Sequence, residues 1–74
     1  MTLSELAVGA GALVRNIAGT DEVAHRLLEM GLTPGASLTV IGTAPLGDPL
    51  ELEIRGYRLS IRRSEAARVE IDPA

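Results

Sequence analysis

The only imidazole in this 74-residue chain, His25, lies four residues before Glu29, and the two stack on one face if the segment is helical. Glu22 falls on the same arc. An imidazole beside carboxylates suits a divalent transition metal, but two donors hold one weakly, and Glu22 is the only obvious third. The simpler expectation for the same residues is a solvated helix face with a local His–Glu pair. Glu51 and Glu53 form the other carboxylate pair, outward on an alternating strand beside Ser60 and Arg62. An acid–base pair needs a positioned proton path, and a wet strand face supplies none. The chain has no Cys, which removes thiol nucleophiles, disulfides and Cys-built zinc or iron–sulfur sites. No motif brings a Ser or Asp to His25, and no glycine run follows a strand at the spacing of a phosphate loop. These residues predict no catalytic site and no cofactor.

What remains is contact chemistry. Pro45 and Pro49 stiffen the segment 44–49, which lowers the entropy cost of holding it in one shape. Leu46 lies near its tip, followed by Asp48. An apolar residue on a rigid loop suits a partner, although a single exposed Leu is also ordinary. Arg26 and Met30 on the helix, and Tyr57 on a hairpin tip, are the other candidate contacts. Ile41 points outward by strict alternation from Leu38 and Val40, or lies buried at a bend.

Composition narrows the partner. Ten acidic against seven basic residues, all Arg, leave a net charge of -3, which opposes a general nucleic-acid binder. Tyr57 is the only aromatic residue, so neither base-stacking platforms nor an aromatic groove for Pro-rich peptides can form. At 46% apolar and 23% charged, the chain is an ordered domain, and its length predicts a single one over 1–74. The apolar stretch Leu6 to Val14 is short and follows Glu5 rather than positive charge, so no signal peptide is predicted. Nothing approaches the roughly 20 apolar residues of a membrane span, and the expected location is the cytoplasm.

The elements that must position these groups are short. Thr2 and Glu5 form a capping box that predicts an opening helical turn. Residues 12–18 predict a strand, with a bulge because Val14 and Ile17 are three apart. Residues 20–30 predict an amphipathic helix. Thr20 or Asp21 caps it, Val23, Ala24, Leu27, Leu28 and Met30 face inward, and Gly31 stops it. Pro34-Gly35 predicts a type II turn. Strands follow at 38–43 and 50–54, then a two-residue turn at Gly56-Tyr57. That turn pairs Ile54 with Leu59 and Leu52 with Ile61 inside, and Glu53 with Ser60 and Glu51 with Arg62 outside. A helical turn at 63–67 precedes a last strand at 68–72. Five short strands in a flat sheet would expose long edges, so a small SH3-like barrel with one helix is predicted. Any edge left open invites weak self-association.

Several stretches together resemble the FeoA family, the small cytosolic component of bacterial ferrous iron transport. Arg26-Leu27-Leu28-Glu29-Met30-Gly31-Leu32-Thr33-Pro34-Gly35 is similar to that family's Arg-Leu-x-x-Met-Gly-Leu-x-Pro-Gly signature. Ala44-Pro45-Leu46-Gly47-Asp48-Pro49 resembles its Ala-Pro-x-Gly-Asp-Pro loop. Gly56 to Arg62 and Glu65-Ala66 resemble its closing segment, and Leu3-Ser4-Glu5-Leu6 with Gly9 its opening. The resemblance spans nearly the whole chain in order. It implies an SH3-like barrel without enzymatic activity, accessory to the FeoB permease, which carries a cytosolic GTP-binding domain. Leu46 with its loop and the exposed part of the helix would then face the permease. Arg26, Arg58 and Arg62 are the candidates if an inserted Arg activates that GTPase, but the simpler expectation is that they are surface or cross-strand charges. The alternative function is an Fe(II)-sensing module built on His25 and the neighbouring carboxylates.

Overall fold

Apolar residues at alternate positions dictate five strands, and the structure, a computed structural model, describes all residues 1–74. A 3-10 turn at Leu3–Glu5 opens the chain, with the Thr2 amide donating to Glu5 Oε1 at 2.8 Å. Then come β1 (Gly11–Ile17), α1 (Glu22–Glu29), β2 (Ser37–Thr43), a 3-10 turn at Pro45–Gly47, β3 (Leu50–Ile54), β4 (Tyr57–Ile61), α2 (Arg63–Ala66) and β5 (Val69–Pro73). The strands form one antiparallel sheet in the order β4-β3-β2-β1-β5. All five strands and both helices bury side chains in one apolar cluster of 18 residues, with no polar residue among them. A sheet whose two outer strands share a core is curled round it, as the SH3-like prediction requires. No ladder joins β4 to β5, so the barrel is open along that seam. No helix is long and apolar enough to cross a membrane.

Two bulges set the curl. The β1–β5 register shifts between Val14 and Asn16, which lets Val14 and Ile17 both face the core, as their spacing demanded. The β2–β3 register shifts between Val40 and Gly42. Ile41 lies at that bulge, half-buried, so it is a bend residue and not an outward contact.

The hairpin corrects the predicted turn. Its two central residues are Arg55 and Gly56, with φ of 52° and 82°, the double positive φ of a type I′ turn. Inside, Ile54 pairs with Tyr57, Leu52 with Leu59 and Leu50 with Ile61; outside, Glu53 faces Arg58 and Glu51 faces Ser60. The expected Glu51–Arg62 pair does not form. The error is two residues, which keeps every side chain on its face, so apolar agreement could not reveal it. Arg55 in the left-handed region is what the sequence concealed.

The helix is shorter than expected but capped as expected. The Asp21 carboxylate accepts the Ala24 amide at 3.2 Å. At the other end Gly31, with φ of 107°, donates to the Leu28 carbonyl at 3.0 Å, and Leu32 donates to Leu27 at 3.2 Å. This is a Schellman motif, and its hydrophobic contact is made by the fully buried Leu27 and Leu32. The Ala36 amide closes the Pro34-Gly35 turn on the Thr33 carbonyl at 3.0 Å. Leu28 corrects the predicted apolar arc, being 40% exposed. Leu27 points straight into the core, and Leu28 lies one residue step, about 100°, round the helix.

Candidate docking surface

The 44–49 loop joins β2 to β3 and is held from both sides. Ala44 donates to the Pro49 carbonyl at 3.0 Å, and Gly47 to the Ala44 carbonyl at 2.9 Å. Arg63, at the start of α2, then clamps it. Its Nε donates to the Gly47 carbonyl at 2.7 Å, its Nη1 to the Ser4 carbonyl at 2.9 Å, and its amide to Asp48 Oδ1 at 3.0 Å. Asp48 therefore serves the start of α2 rather than facing outward as a free carboxylate. Pro45 is exposed.

Leu46 makes no hydrogen bond that holds the loop. Its side chain is fully exposed and its φ is 72°. A non-glycine residue in the left-handed region costs on the order of 1–3 kcal/mol, and persists only when its surroundings fix it. Here the Arg63 clamp and the two loop hydrogen bonds do so. The result is an apolar knob on a rigid base.

The helix candidates have structural partners. The Arg26 guanidinium makes an ion pair with Glu65 Oε2, while Glu65 Oε1 accepts the Arg62 amide at 2.9 Å. Met30 packs half-buried on the core, and its carbonyl accepts the Tyr57 hydroxyl. Arg55 Nη2 donates to Thr33 Oγ1 at 2.8 Å. The hairpin tip is thus bolted to the C-terminal end of α1, leaving Tyr57 44% exposed. At the other end of α1, Arg68 donates from Nη2 to Asp21 Oδ1 at 2.5 Å and to the Ala18 carbonyl at 3.0 Å. The Arg68 bond to its carboxylate, with the Ala24 amide, holds the Asp21 carboxyl down at about 2.

The predicted contact residues therefore fall into separate groups. Leu46, Pro45 and Asp48 precede β3, whereas Met30 and Tyr57 meet beyond its far end. Four residue steps of strand, about 13 Å, lie between. Arg26 is tied to α2 through Glu65. Arg58 is exposed beside Glu53, and Arg62 lines a shallow hollow of about 340 Å³ with Asp48 and Pro49.

His25 Nε2 and Glu29 Oε1 lie 3.9 Å apart, both well exposed. They line a shallow groove of about 510 Å³ with Glu22, Val23 and Arg26. No three His, Asp or Glu side chains converge as a metal-holding group anywhere in the chain. Glu22 does not complete the set, and the Arg26 guanidinium in the same groove opposes a cation. The sequence offered no sign of Arg63 or Arg68 as clamps, because the Arg63–Ser4 and Arg68–Ala18 contacts join residues 59 and 50 positions apart.

The FeoA domain family matches the chain over residues 1–73. A curated relative from Porphyromonas gingivalis, a fusion of Fe(2+) transport protein A with the Fe(2+) transporter FeoB, is 40% identical over 72 residues. The match covers 97% of this chain but only 8% of the fusion protein. The solved FeoA protein from Chlorobium tepidum is 42% identical, with a TM-score of 0.90 over 99% of this chain and 70% of that one. Stenotrophomonas maltophilia FeoA, solved in complex with zinc and described as an SH3 domain protein, is 36% identical, with a TM-score of 0.80 over 97% of this chain and 89% of that one. A manganese-dependent transcriptional repressor superposes with a TM-score of 0.90 at 14% identity, over 36% of its length, and shares the fold alone.

Proposed function

This chain belongs to the FeoA family, and we propose that it is a non-catalytic accessory of bacterial ferrous iron uptake. It works in the cytoplasm and docks on a FeoB-type permease through Leu46 and its loop. The observation that carries this reading is the Leu46 knob: a fully exposed apolar side chain, in a costly backbone conformation, on a clamped loop. Function on such folds lives in loops that the scaffold holds still. A rigid loop also loses little entropy when it is bound. The Porphyromonas gingivalis fusion supports the choice of partner, because it carries both components in one polypeptide. Covalent linkage of that kind raises effective concentration and suits two parts that work in contact.

The test is Leu46→Asp. The side chain touches nothing in the fold, so circular dichroism and the unfolding midpoint should match the parent. Burying a Leu contributes roughly 1.5–3 kcal/mol, so binding to the full-length permease in detergent should weaken by at least about tenfold. Fe(II) uptake by cells relying on the variant should fall in parallel. Undiminished binding and uptake would show that the loop is not the contact.

A further inference from the structure

The two edges of the sheet are treated differently. Along β5 the N-terminal segment covers the edge: Ile71 donates to the Met1 carbonyl at 3.0 Å, and Thr2 bridges to Glu70. That strand also ends in Pro73, and the strand it pairs with, β1, carries an extra residue at Arg15. Strand β4 has none of these devices. It contains no proline, pairs with β3 without a register shift, and no strand lies on its other side. Bulges, prolines, covering segments, short strands and edge charges are the usual guards against edge pairing, and of these β4 has only its five-residue length and Arg58.

The backbone groups of that free edge can be assigned. In a two-residue hairpin the residues flanking the turn form a hydrogen-bonded pair, here Ile54 and Tyr57, and bonded pairs then alternate. Tyr57, Leu59 and Ile61 therefore point their amides and carbonyls at β3, while Arg58 and Ser60 point theirs away. Arg58 and Ser60 are exposed, and neither takes part in any backbone hydrogen bond outside the strand ladders.

We infer that β4 is a docking edge for a second copy of this chain, the two β4 strands pairing antiparallel about a two-fold axis at Leu59. Only an even register brings outward-pointing residues together, which leaves three choices. One sets Arg58 against Arg58, and another sets Ser60 against Ser60 and Arg58 against Arg62. Both oppose like charges, which is destabilising across strands. The third sets Arg58 of each copy against Ser60 of the other, exchanging four backbone hydrogen bonds. Across the joined outer face the order becomes Glu53, Arg58, then Ser60 and Glu51 of the second copy, and its mirror. No like charges stand directly opposite; the two Arg58 side chains are diagonal neighbours, each opposite Glu53 of its own chain. On the inner face Leu59 meets its own symmetry mate at the close spacing of a non-hydrogen-bonded pair, and Tyr57 meets Ile61. Leu59 is only half-buried in the single chain, although its ladder partner Leu52 is fully buried. Pairing completes its burial. Leu46 takes no part, so this dimer is independent of the docking loop.

Sedimentation and light scattering over an approximately hundredfold concentration range reaching millimolar should show the mass doubling with concentration, the signature of a weak complex. The amides of Arg58 and Ser60 should gain hydrogen-exchange protection in step with it. Ser60→Arg sets Arg against Arg58 of the second copy, yet within its own chain it faces Glu51, which preserves the fold. That variant should remain at single-chain mass throughout. Three results would overturn the inference: a parent chain of single mass at every concentration, a Ser60→Arg variant that still dimerises, or protection that grows along β5 instead.

Discussion

Gly31→Ala probes the joint on which the candidate contacts at the end of α1 depend. Gly31 has φ of 107°, so any side chain there pays for the left-handed backbone, about 1–2 kcal/mol. A second cost is local. The new Cβ would overlap the Tyr57 hydroxyl oxygen, while the ring carbon behind it, 3.6 Å away, is in ordinary contact. The hydroxyl would have to leave the Met30 carbonyl, forfeiting a hydrogen bond of about 0.5–1.5 kcal/mol. Together the loss is about 1.5–3.5 kcal/mol. For a domain of this size that is roughly 6–28 °C in unfolding midpoint. Tyr57→Phe removes the hydroxyl and with it the overlap. In that background Gly31→Ala should cost only the backbone component, leaving a coupling of about 0.5–1.5 kcal/mol between the two sites. Urea unfolding of the four proteins by circular dichroism measures it. Additive costs, or a Gly31→Ala variant as stable as the parent, would refute the joint as described.

The helix face, the acid response and the metal question each have their own test. Leu27→Ala empties a fully buried site and should cost about 2–5 kcal/mol, whereas Leu28→Ala, at a position 40% exposed, should cost well under half as much by the same unfolding assay. Asp21 has its folded pKa lowered from 3.8 to about 2, so its bond to Arg68 stabilises fully above 3.8 and is lost as pH falls through about 2. Arg68→Met should return the Asp21 carboxyl towards its ordinary value in an NMR titration, and the stability gap between variant and parent should narrow as pH falls through about 2, leaving the part that the Ala18 carbonyl bonds supply. Fe(II) added to the isolated chain under anaerobic conditions should give no saturable heat at micromolar concentration, since His25 and Glu29 offer only two donors. Tight binding abolished by His25→Ala would establish a metal site on α1.

What the sequence made legible was whatever rests on local chemistry. The Asp21 cap, the Gly31 stop, the Pro34-Gly35 turn and the bulge between Val14 and Ile17 each follow from a few adjacent residues, and each is present. The hairpin turn was misplaced because two registers that differ by two residues bury the same faces. The choice between them lay in Arg55 adopting a positive φ, against its own preference. The exposure of Leu46 could be anticipated from a loop with two prolines, but not its clamp, because Arg63 reaches the loop only through the fold. Leu28 was misjudged because helical periodicity marks an apolar arc without saying how wide a groove the sheet offers to it.

Assigning every candidate its structural task separates scaffold from contact. Through the segment 26–35, Arg26 holds Glu65, Leu27 and Leu32 fill the core, Met30 offers its carbonyl to Tyr57, Gly31 ends the helix and Pro34-Gly35 turns the chain into β2. A residue so occupied has fewer polar groups free for a partner, and drawing one away leaves its intramolecular partner unpaired. Leu46 gives up nothing: it buries no area, donates to nothing and accepts from nothing, while its neighbours Gly47 and Asp48 are tied to Arg63. The backbone strain at Leu46 has already been met on folding, so a partner that covers the side chain gains its full burial. If both assignments hold, Arg63→Ala should weaken permease binding even though Arg63 touches no partner, because it would free the loop that presents Leu46. Leu46→Asp should lower affinity without changing hydrogen exchange at Gly47, whereas Arg63→Ala should lower affinity and speed that exchange. Equal exchange in the two variants would mean that the loop keeps its shape without the clamp, and that rigidity is not what Arg63 contributes.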